Sequence, residues 1–170
     1  MSAAWLRPVE PHRRFGVKGP RAAELIKKLG LVVPGQSNCW SPLRHSDRDD
    51  SWNVIGRLGL TEFFIEESGD APGIEALEQL TRDGAPGVYP VLREDIAVVL
   101  GGKRAADVLV QVCNVNFAVL PARAVVMTLM IGVSVLVMPQ VMDDGPVYRI
   151  WCDPSFGSYL KSELQQVVDP

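Results

Sequence analysis

A ten-residue segment occurs twice in this chain, and that repeat constrains the possible folds more than any other feature. Gly-Val-Lys-Gly-Pro-Arg-Ala-Ala-Glu-Leu begins at Gly16, and Val-Leu-Gly-Gly-Lys-Arg-Ala-Ala-Asp-Val begins at Val99. Arg21 and Arg104 occupy matching positions, 83 residues apart in a chain of 170. Because this offset is close to half the chain, it indicates an internal duplication and predicts two pseudo-symmetric halves.

Both halves predict strands and helices in the same order. The sequence predicts four helices. Apolar residues recur at helical spacing in residues 21–29 and 103–113, and a proline near the first turn marks helices that begin near residues 71 and 153. β-rich runs precede and separate these helices, and residues 34–51 read as a polar loop. We therefore predict an α+β fold of two pseudo-symmetric β-α-β-β-α repeats, residues 14–81 and 94–168, in one domain covering residues 1–170.

One apolar stretch raises the question of a membrane segment. Ala124 to Met138 comprises 15 residues, whereas a membrane-spanning helix needs about 20. Thr128, Gly132 and Ser134 also interrupt the stretch. We predict a buried β-hairpin that bends at Gly132, in preference to a membrane element.

The last helix has a predicted cap and a predicted core face. Asp153 or Ser155 is suited to cap its first turn. Apolar residues at helical spacing predict the buried side as Phe156, Tyr159, Leu160 and Leu164.

Composition limits the classes of partner. The formal net charge of −3 argues against a nucleic-acid surface, because phosphate binding depends on many Lys and Arg side chains. The three cysteines are too few and too widely spaced for a disulfide framework, and residues 1–10 lack the apolar stretch of a secretory signal. These features predict a cytoplasmic protein that contacts neither nucleic acid nor membrane.

The repeated segment contains a candidate anion site. The turn from Gly101 to Arg104 joins a strand to a helix, where backbone N–H groups can bind an anion. A turn that needs small residues for close packing explains the same sequence without a ligand. Arg21 and Arg104 are unusual because a cation in the first turn opposes the helix dipole, and we expect each to contact a carboxylate on the neighbouring lobe or on a partner subunit.

Catalytic and metal-binding patterns are sparse. A metal site at Cys39, His45 and Asp47 is conceivable, but the spacing matches no familiar zinc arrangement and a fourth ligand is missing. No serine lies in a Gly-x-Ser-x-Gly turn, and we predict neither catalytic residues nor a bound metal. Among the paired acids, Glu66-Glu67 lies at the end of a predicted strand, where neighbouring side chains point in different directions. Asp49-Asp50 and Asp143-Asp144 lie in a predicted loop and turn, where acids are usually solvated.

Two tryptophans are candidates for partner contacts. Trp5 and Trp40 lie in terminal or loop-like stretches, and exposed aromatic residues commonly anchor partners. Trp52 and Trp151 are expected in the core.

Four segments resemble the gamma subunit of heterotetrameric sarcosine oxidase. Leu58-Gly-Leu-Thr-Glu-Phe-Phe-Ile65 is similar to the family's Leu-Gly-Pro-Asp-Glu-Trp-Leu-Leu segment, with Leu60-Thr61 in place of Pro-Asp. The other three similar segments are 100–109, 128–136 and 148–167. The resemblance extends from about Phe15 to Val168 and includes Glu62, which we add to the candidate contacts between lobes or with a partner.

The resemblance implies a fold like the folate-binding region of the glycine-cleavage T-protein. It also implies a non-catalytic subunit that packs against a larger alpha subunit, with beta and delta subunits in the same complex. That complex demethylates sarcosine to glycine, passing the one-carbon unit to tetrahydrofolate or releasing formaldehyde. FAD, FMN, NAD and tetrahydrofolate are implied for the complex, and no cofactor for this chain alone.

Three alternatives stay open at this point. The chain could be a stand-alone folate-binding protein related to aminomethyltransferases, the gamma subunit of an N-methylglutamate dehydrogenase, or a scaffold without folate. The related tRNA-modification folate protein is disfavoured, because its Lys-Gly-Cys-x-x-Gly-Gln segment is missing around Cys152.

Overall fold

The chain divides into two units, each built around one antiparallel sheet. The computed structural model describes residues 4–9, 12–44, 52–142 and 145–169. We call Pro11–Arg93 the first unit, and Met1–Glu10 with Glu94–Pro170 the second unit. Each sheet has five strands, and each unit contributes two α-helices.

The elements follow one another in the order β1 (Trp5–Pro8), β2 (Arg13–Lys18), α1 (Ala22–Lys28), β3 (Cys39–Pro42), β4 (Val54–Arg57), β5 (Glu62–Glu67), α2 (Pro72–Arg82), β6 (Tyr89–Val91), β7 (Ile96–Gly101), α3 (Ala105–Val112), β8 (Val126–Met130), β9 (Val133–Met142), β10 (Gly145–Cys152) and α4 (Gly157–Val168). Short 3₁₀ turns at Phe117–Val119 and Pro154–Phe156 connect some of them.

The two sheets have the same topology, and each takes one edge strand from the other half of the sequence. The first unit has the strand order β6-β2-β5-β4-β3, and the second has β1-β7-β10-β9-β8. β1 precedes β2 in the chain but pairs with β7, while β6 precedes β7 but pairs with β2. The α+β class and the two pseudo-symmetric repeats are thus confirmed, and each sheet has one further edge strand, β1 or β6, from outside the predicted repeats.

Each unit has its own hydrophobic core between its sheet and its helices. The first core includes Phe15, Ile26, Phe63, Ile65, Ile74 and Leu77. The second includes Val98, Leu100, Leu109, Val135, Ile150 and Leu160. Complete burial of such a side chain stabilises a fold by about 1.5–3 kcal/mol relative to exposure, so each half has an apolar centre of its own.

The repeated glycine is required by the backbone at the strand-to-helix corner. Gly19 has φ 125° and Gly102 has φ 98°, a region that L-residues with a side chain rarely adopt. A Cβ on Gly19 would lie 2.4 Å from the carbonyl oxygen of Gly87. Close backbone packing therefore accounts for Gly19 without a bound anion.

The apolar hairpin is confirmed, but it is buried on one side only, because Met127 and Leu129 of its first strand are 58% and 61% exposed. β8 and β9 are joined by Ile131 and Gly132, whose φ angles are 51° and 78°. Two consecutive positive φ angles are the pattern of a type I′ turn, which matches the twist of the flanking strands. Among the described residues, no helix is both long enough and apolar enough to cross a membrane.

Three expectations about local structure are wrong. Each repeat has three strands between its helices rather than two, and in the first repeat the additional strand is β3 (Cys39–Pro42), which lies inside the predicted loop. Phe156 and Tyr159 are 50% and 48% exposed. The 3₁₀ turn Pro154–Phe156 delays α4 to Gly157, so that its buried side consists of Gly157, Leu160, Leu164 and Val168. Asp153 caps this 3₁₀ turn and not α4: its side chain accepts a hydrogen bond from the Ser155 N–H at 2.8 Å, whereas the N-cap position of α4 is Phe156, which makes no side-chain cap.

Candidate functional site

Strand β5 presents a charged row on one face of the first sheet. Successive side chains of a strand point to opposite faces. Phe63 and Ile65 enter the core under the helices, so Glu62, Phe64 and Glu66 lie on the other face. We call these three residues the β5 row.

Glu62, a predicted contact residue, is paired within its own unit. Arg93 Nη2 donates a hydrogen bond to Glu62 Oε1 at 3.2 Å. The Arg93 guanidinium carbon also lies 5.8 Å from the centroid of the Phe64 ring. A cation over an aromatic ring contributes about 0.5–1 kcal/mol at a partly exposed site. The Glu62 side chain is 40% exposed, so a further contact of Glu62 with a partner stays a prediction.

Glu66 is a buried carboxylate held by two basic side chains. Its side chain has no exposed surface, and Arg14 Nε donates a hydrogen bond to Glu66 Oε2 at 2.5 Å. His12 Nδ1 lies 3.4 Å from Glu66 Oε1. The register explains the pairing, because Arg14 lies directly opposite Glu66 on β2. Removal of either member of a buried ion pair leaves an uncompensated charge and is strongly destabilising.

Glu67 lies on the same face of the sheet as Phe63 and Ile65, and its carboxylate stabilises the start of α2. Glu67 Oε2 accepts hydrogen bonds from the backbone N–H groups of Gly73 and Ile74 at 2.8 and 3.0 Å. Arg44 Nη1 donates to Glu67 Oε1 at 3.0 Å. The N-cap residue Ala71 has no side chain that could make these bonds, so a carboxylate from the preceding strand caps the helix and complements its dipole.

Glu66 and Glu67 point to opposite faces of the sheet, as expected of neighbours on a strand, and their relative exposures are 0% and 2%. A sequence signal for their burial was present in the two arginines of the neighbouring strand, Arg13 and Arg14, although the register that brings Arg14 to Glu66 could not be read from sequence. Asp49, Asp50, Asp143 and Asp144 lie outside the described residues.

The buried carboxylates of Glu66 and Glu67 accept hydrogen bonds from groups within the fold. Each oxygen of Glu66 and of Glu67 faces a basic side chain or backbone N–H donors. A general base must reach a substrate proton, and these oxygens are already engaged and buried. The arrangement positions β2, β5 and α2 relative to one another.

Arg21 and Arg104 each form an ion pair with an acid on their own helix. Arg21 Nε donates to Glu24 Oε2 at 3.1 Å, and Arg104 Nε lies 3.8 Å from Asp107 Oδ2. Both acids are three residues further along the same helix, so they offset the unfavourable position of a cation in the first turn. Both arginine side chains are more than half exposed, and their contact with a partner stays a prediction.

Arg21 also borders a cleft in the first unit. The cleft has a volume of about 340 Å³ and lies between α1 and the end of α2. Leu25, Leu80 and Val88 are among its lining residues, with Lys28 and Asp83 as further charged neighbours.

The two candidate tryptophans differ in their surroundings. Trp5 lies in β1 opposite Gly101, and the Arg7 guanidinium carbon is 4.6 Å from its ring centroid. A Cβ on Gly101 would lie 2.2 Å from the Trp5 ring, so the indole occupies the space above this glycine. Trp40 is 2% exposed and belongs to strand β3, which makes the expectation of an exposed loop residue wrong.

The described residues contain no group of three or more His, Cys, Asp or Glu side chains arranged to hold a metal ion. Cys39 is partly buried in β3, while His45 and Asp47 of the conceivable metal site lie outside the described residues. Cys152 is buried, and this burial, with the nearby Asp95 and Asp153 carboxylates, raises the pKa of its thiol.

Solved structures of two enzymes are similar to this chain. A chain of the heterotetrameric sarcosine oxidase from Corynebacterium sp. U-96, in complex with pyrrole 2-carboxylate, matches with a TM-score of 0.78 and 20% sequence identity. The match covers 97% of this chain and 83% of that chain. Glycine cleavage system aminomethyltransferase T from Bartonella henselae matches with a TM-score of 0.69 and 18% identity.

The chain has the fold shared by these two proteins. The aminomethyltransferase match covers 96% of this chain but 45% of the other, so this chain spans less than half of that enzyme. Neither a family model nor a curated protein matches the sequence.

Proposed function

We propose that this chain is a non-catalytic interaction subunit, equivalent to the gamma subunit, of a heterotetrameric sarcosine oxidase. The observation that carries the proposal is the reciprocal coverage of 97% and 83% with a chain of such an oxidase. A match that covers most of both chains supports a subunit of the same fold and similar extent.

The alternative of a stand-alone aminomethyltransferase-like enzyme is less well supported. The aminomethyltransferase chain is matched over only 45% of its length, so the reciprocal coverage that supports the oxidase proposal is missing for this enzyme. A gamma subunit of an N-methylglutamate dehydrogenase would be the same kind of subunit with a different methylated amine, and it remains the nearest alternative.

The buried carboxylates are consistent with a role in architecture. Glu66 and Glu67 hold two strands and a helix in place, which suits a subunit that offers a fixed surface to a partner. In the proposed complex, the larger subunits bind FAD, FMN, NAD and tetrahydrofolate and carry out the demethylation.

Co-expression and calorimetry test the proposal together. The chain is expressed with candidate alpha, beta and delta subunits, and an affinity tag on alpha is expected to recover it in equal amount. Isolated chain titrated with tetrahydrofolate is expected to release no heat of binding. Failure to co-purify, together with saturable folate binding, would favour the stand-alone enzyme instead.

A further inference from the structure

The cleft beside Arg21 in the first unit has the lining of a binding site. Its volume of about 340 Å³ falls within the range of about 300–1,000 Å³ that is typical of ligand pockets. Leu25, Leu80 and Val88 line it with apolar surface, and charged side chains from α1 and from the end of α2 complete the lining. An apolar surface with a few charged groups suits a ligand that has both an apolar part and a charged part.

Helix α1 presents one face to this cleft. Its lining residues recur at a spacing of three or four, which places them on the same side of the helix; they are Arg21, Glu24, Leu25 and Lys28. Arg21 and Lys28 are seven residues apart, so they lie about 10 Å from each other along the helix axis. Leu25 therefore lies between two cations on this face.

The two acids that line the cleft already accept hydrogen bonds, and its two cations can donate more. Arg21 Nε donates to Glu24 Oε2 at 3.1 Å, and Gln79 Nε2 donates to Asp83 Oδ1 at 2.9 Å. Within the described ranges, neither the Lys28 ammonium nor the Nη groups of Arg21 have a hydrogen-bond or ion-pair partner. Ammonium and guanidinium groups bind carboxylates through charge-assisted hydrogen bonds, so the cleft is complementary to a ligand that carries carboxylates.

Arg21 is held in position at the rim of the cleft. Its backbone N–H donates to the Gly87 carbonyl oxygen at 3.1 Å. A Cβ on Gly87 would lie 3.3 Å from Arg21 Cγ and 3.4 Å from Arg21 Cδ, so the aliphatic stem of the arginine packs on this glycine. A side chain whose stem is already ordered loses less conformational entropy when it binds a partner.

A second copy of this chain does not offer a suitable occupant. A two-fold dimer places the same patch of both copies against itself, so the side chain that fills the cleft would have to protrude beside it. Tyr89 follows the lining residue Val88, but consecutive side chains of a strand point to opposite faces. Among the residues that the structure describes, the exposed large apolar side chains of the first unit do not line the cleft; they are Leu60, Tyr89 and Leu92. The cleft thus suits a different protein better than a second copy.

We propose that the cleft receives a large apolar side chain of the alpha subunit, carried by a segment that has acidic residues on both sides of it. The apolar side chain packs against Leu25, Leu80 and Val88, while the acids pair with Arg21 and Lys28. This inference rests on the proposed function, and it adds the surface that binds the larger subunit and the chemical character of the bound segment.

Two double variants with the same change of net charge test this surface. Arg21→Glu/Lys28→Glu is expected to weaken binding of the tagged alpha subunit at least about tenfold at about 0.15 M salt, because each new carboxylate repels an acid of the bound segment. Lys27→Glu/Arg82→Glu is the matched control, since both residues are exposed cations of the first unit that do not line the cleft. Its affinity is expected to stay within about threefold of wild type. Thermal melting establishes that both variants fold.

Crosslinking of the wild-type complex gives a second readout. A carbodiimide joins an amine to a carboxylate only where the two are in contact. We expect mass spectrometry to find an amide link between Lys28 and an Asp or Glu of the alpha subunit, close in sequence to a large apolar residue, and no such link at Lys27. Absence of the Lys28 link, equal affinity of Arg21→Glu/Lys28→Glu and wild type, or equal losses in both double variants would overturn the inference and leave the proposed function intact.

The wild-type arm separates the two claims. If wild-type chain does not bind the alpha subunit at all, the proposed function fails and this inference fails with it. Sedimentation of the isolated chain tests the other occupant: a dimer that Arg21→Glu/Lys28→Glu dissociates, and that the matched control leaves intact, would place a second copy in the cleft and overturn the inference.

Discussion

Glu67 Oε2 accepts the backbone N–H of Gly73 at 2.8 Å, so that the last residue of β5 caps the helix that follows it. A Cβ on Gly73 would lie 2.9 Å from the same oxygen. The glycine and the buried carboxylate therefore depend on each other, and this part of the fold rests on a charged hydrogen bond as well as on apolar packing.

Glu67→Gln is expected to lower the free energy of unfolding by about 1.5–3 kcal/mol, because a charged acceptor is lost from the helix N-terminus and from Arg44. Urea denaturation measures the change. Glu75→Gln, an exposed acid in the first turn of the same helix, is the matched control and should cost less than about 1 kcal/mol. Equal effects of the two substitutions would argue against a capping role for Glu67.

Glu66→Gln is expected to cost about 3–5 kcal/mol, since it leaves the Arg14 guanidinium without its buried counter-charge. Combining it with Arg14→Met in a double-mutant cycle should reveal a coupling energy of at least about 1 kcal/mol. Denaturant unfolding of the four proteins provides the numbers. Strict additivity would mean that the short contact between these side chains contributes nothing to stability.

Gly101→Ala is expected to destabilise the second unit by about 1–3 kcal/mol, because the new methyl group overlaps the Trp5 ring. The melting temperature reports the loss. Adding Trp5→Ala should recover part of it, since the overlap then disappears. Gly35→Ala, at a glycine with no neighbouring atom within 4 Å of the added Cβ, serves as the control. A Gly101→Ala protein as stable as this control would contradict the observed packing of β1 on β7.

The thiols are expected to react with a disulfide reagent in two phases. Cys113 and Cys152 are buried, and burial with two nearby carboxylates raises the pKa of the Cys152 thiol. A raised pKa means less thiolate at neutral pH, so Cys152 should react slowly and gain reactivity only at higher pH or on unfolding. Cys39 is partly accessible, and Cys39→Ser should remove the fast phase. Rapid labelling of Cys152 in the folded protein would contradict its burial.

Local features of this fold could be predicted from the sequence, whereas its long-range pairings could not. α1 and α3 were predictable because apolar residues recur at helical spacing, and the β8–β9 hairpin because Gly132 divides an apolar stretch. β3 was missed because four residues ending in proline carry no alternating pattern. The pairing of β1 with β7 and of β6 with β2 was also missed, since pairing between residues more than about 70 positions apart leaves no local signal.

The candidate site shows the same difference between local features, which were predictable, and long-range contacts, which were not. Arg21 and Arg104 were singled out by the repeat, and the structure pairs each with an acid three residues further along its helix. The burial of Glu66 could not be predicted, because its partner Arg14 lies 52 residues away. Only the register of β2 and β5 brings the two together, and register is fixed by the folded sheet.

Native mass spectrometry of the co-expressed complex, purified through a tag on the alpha subunit, tests the central claim most directly. We expect one copy of this chain in an assembly with the alpha, beta and delta subunits, and an assembly with sarcosine-dependent oxidase activity. An active assembly that forms without this chain, while the isolated chain binds tetrahydrofolate on its own, would contradict the account.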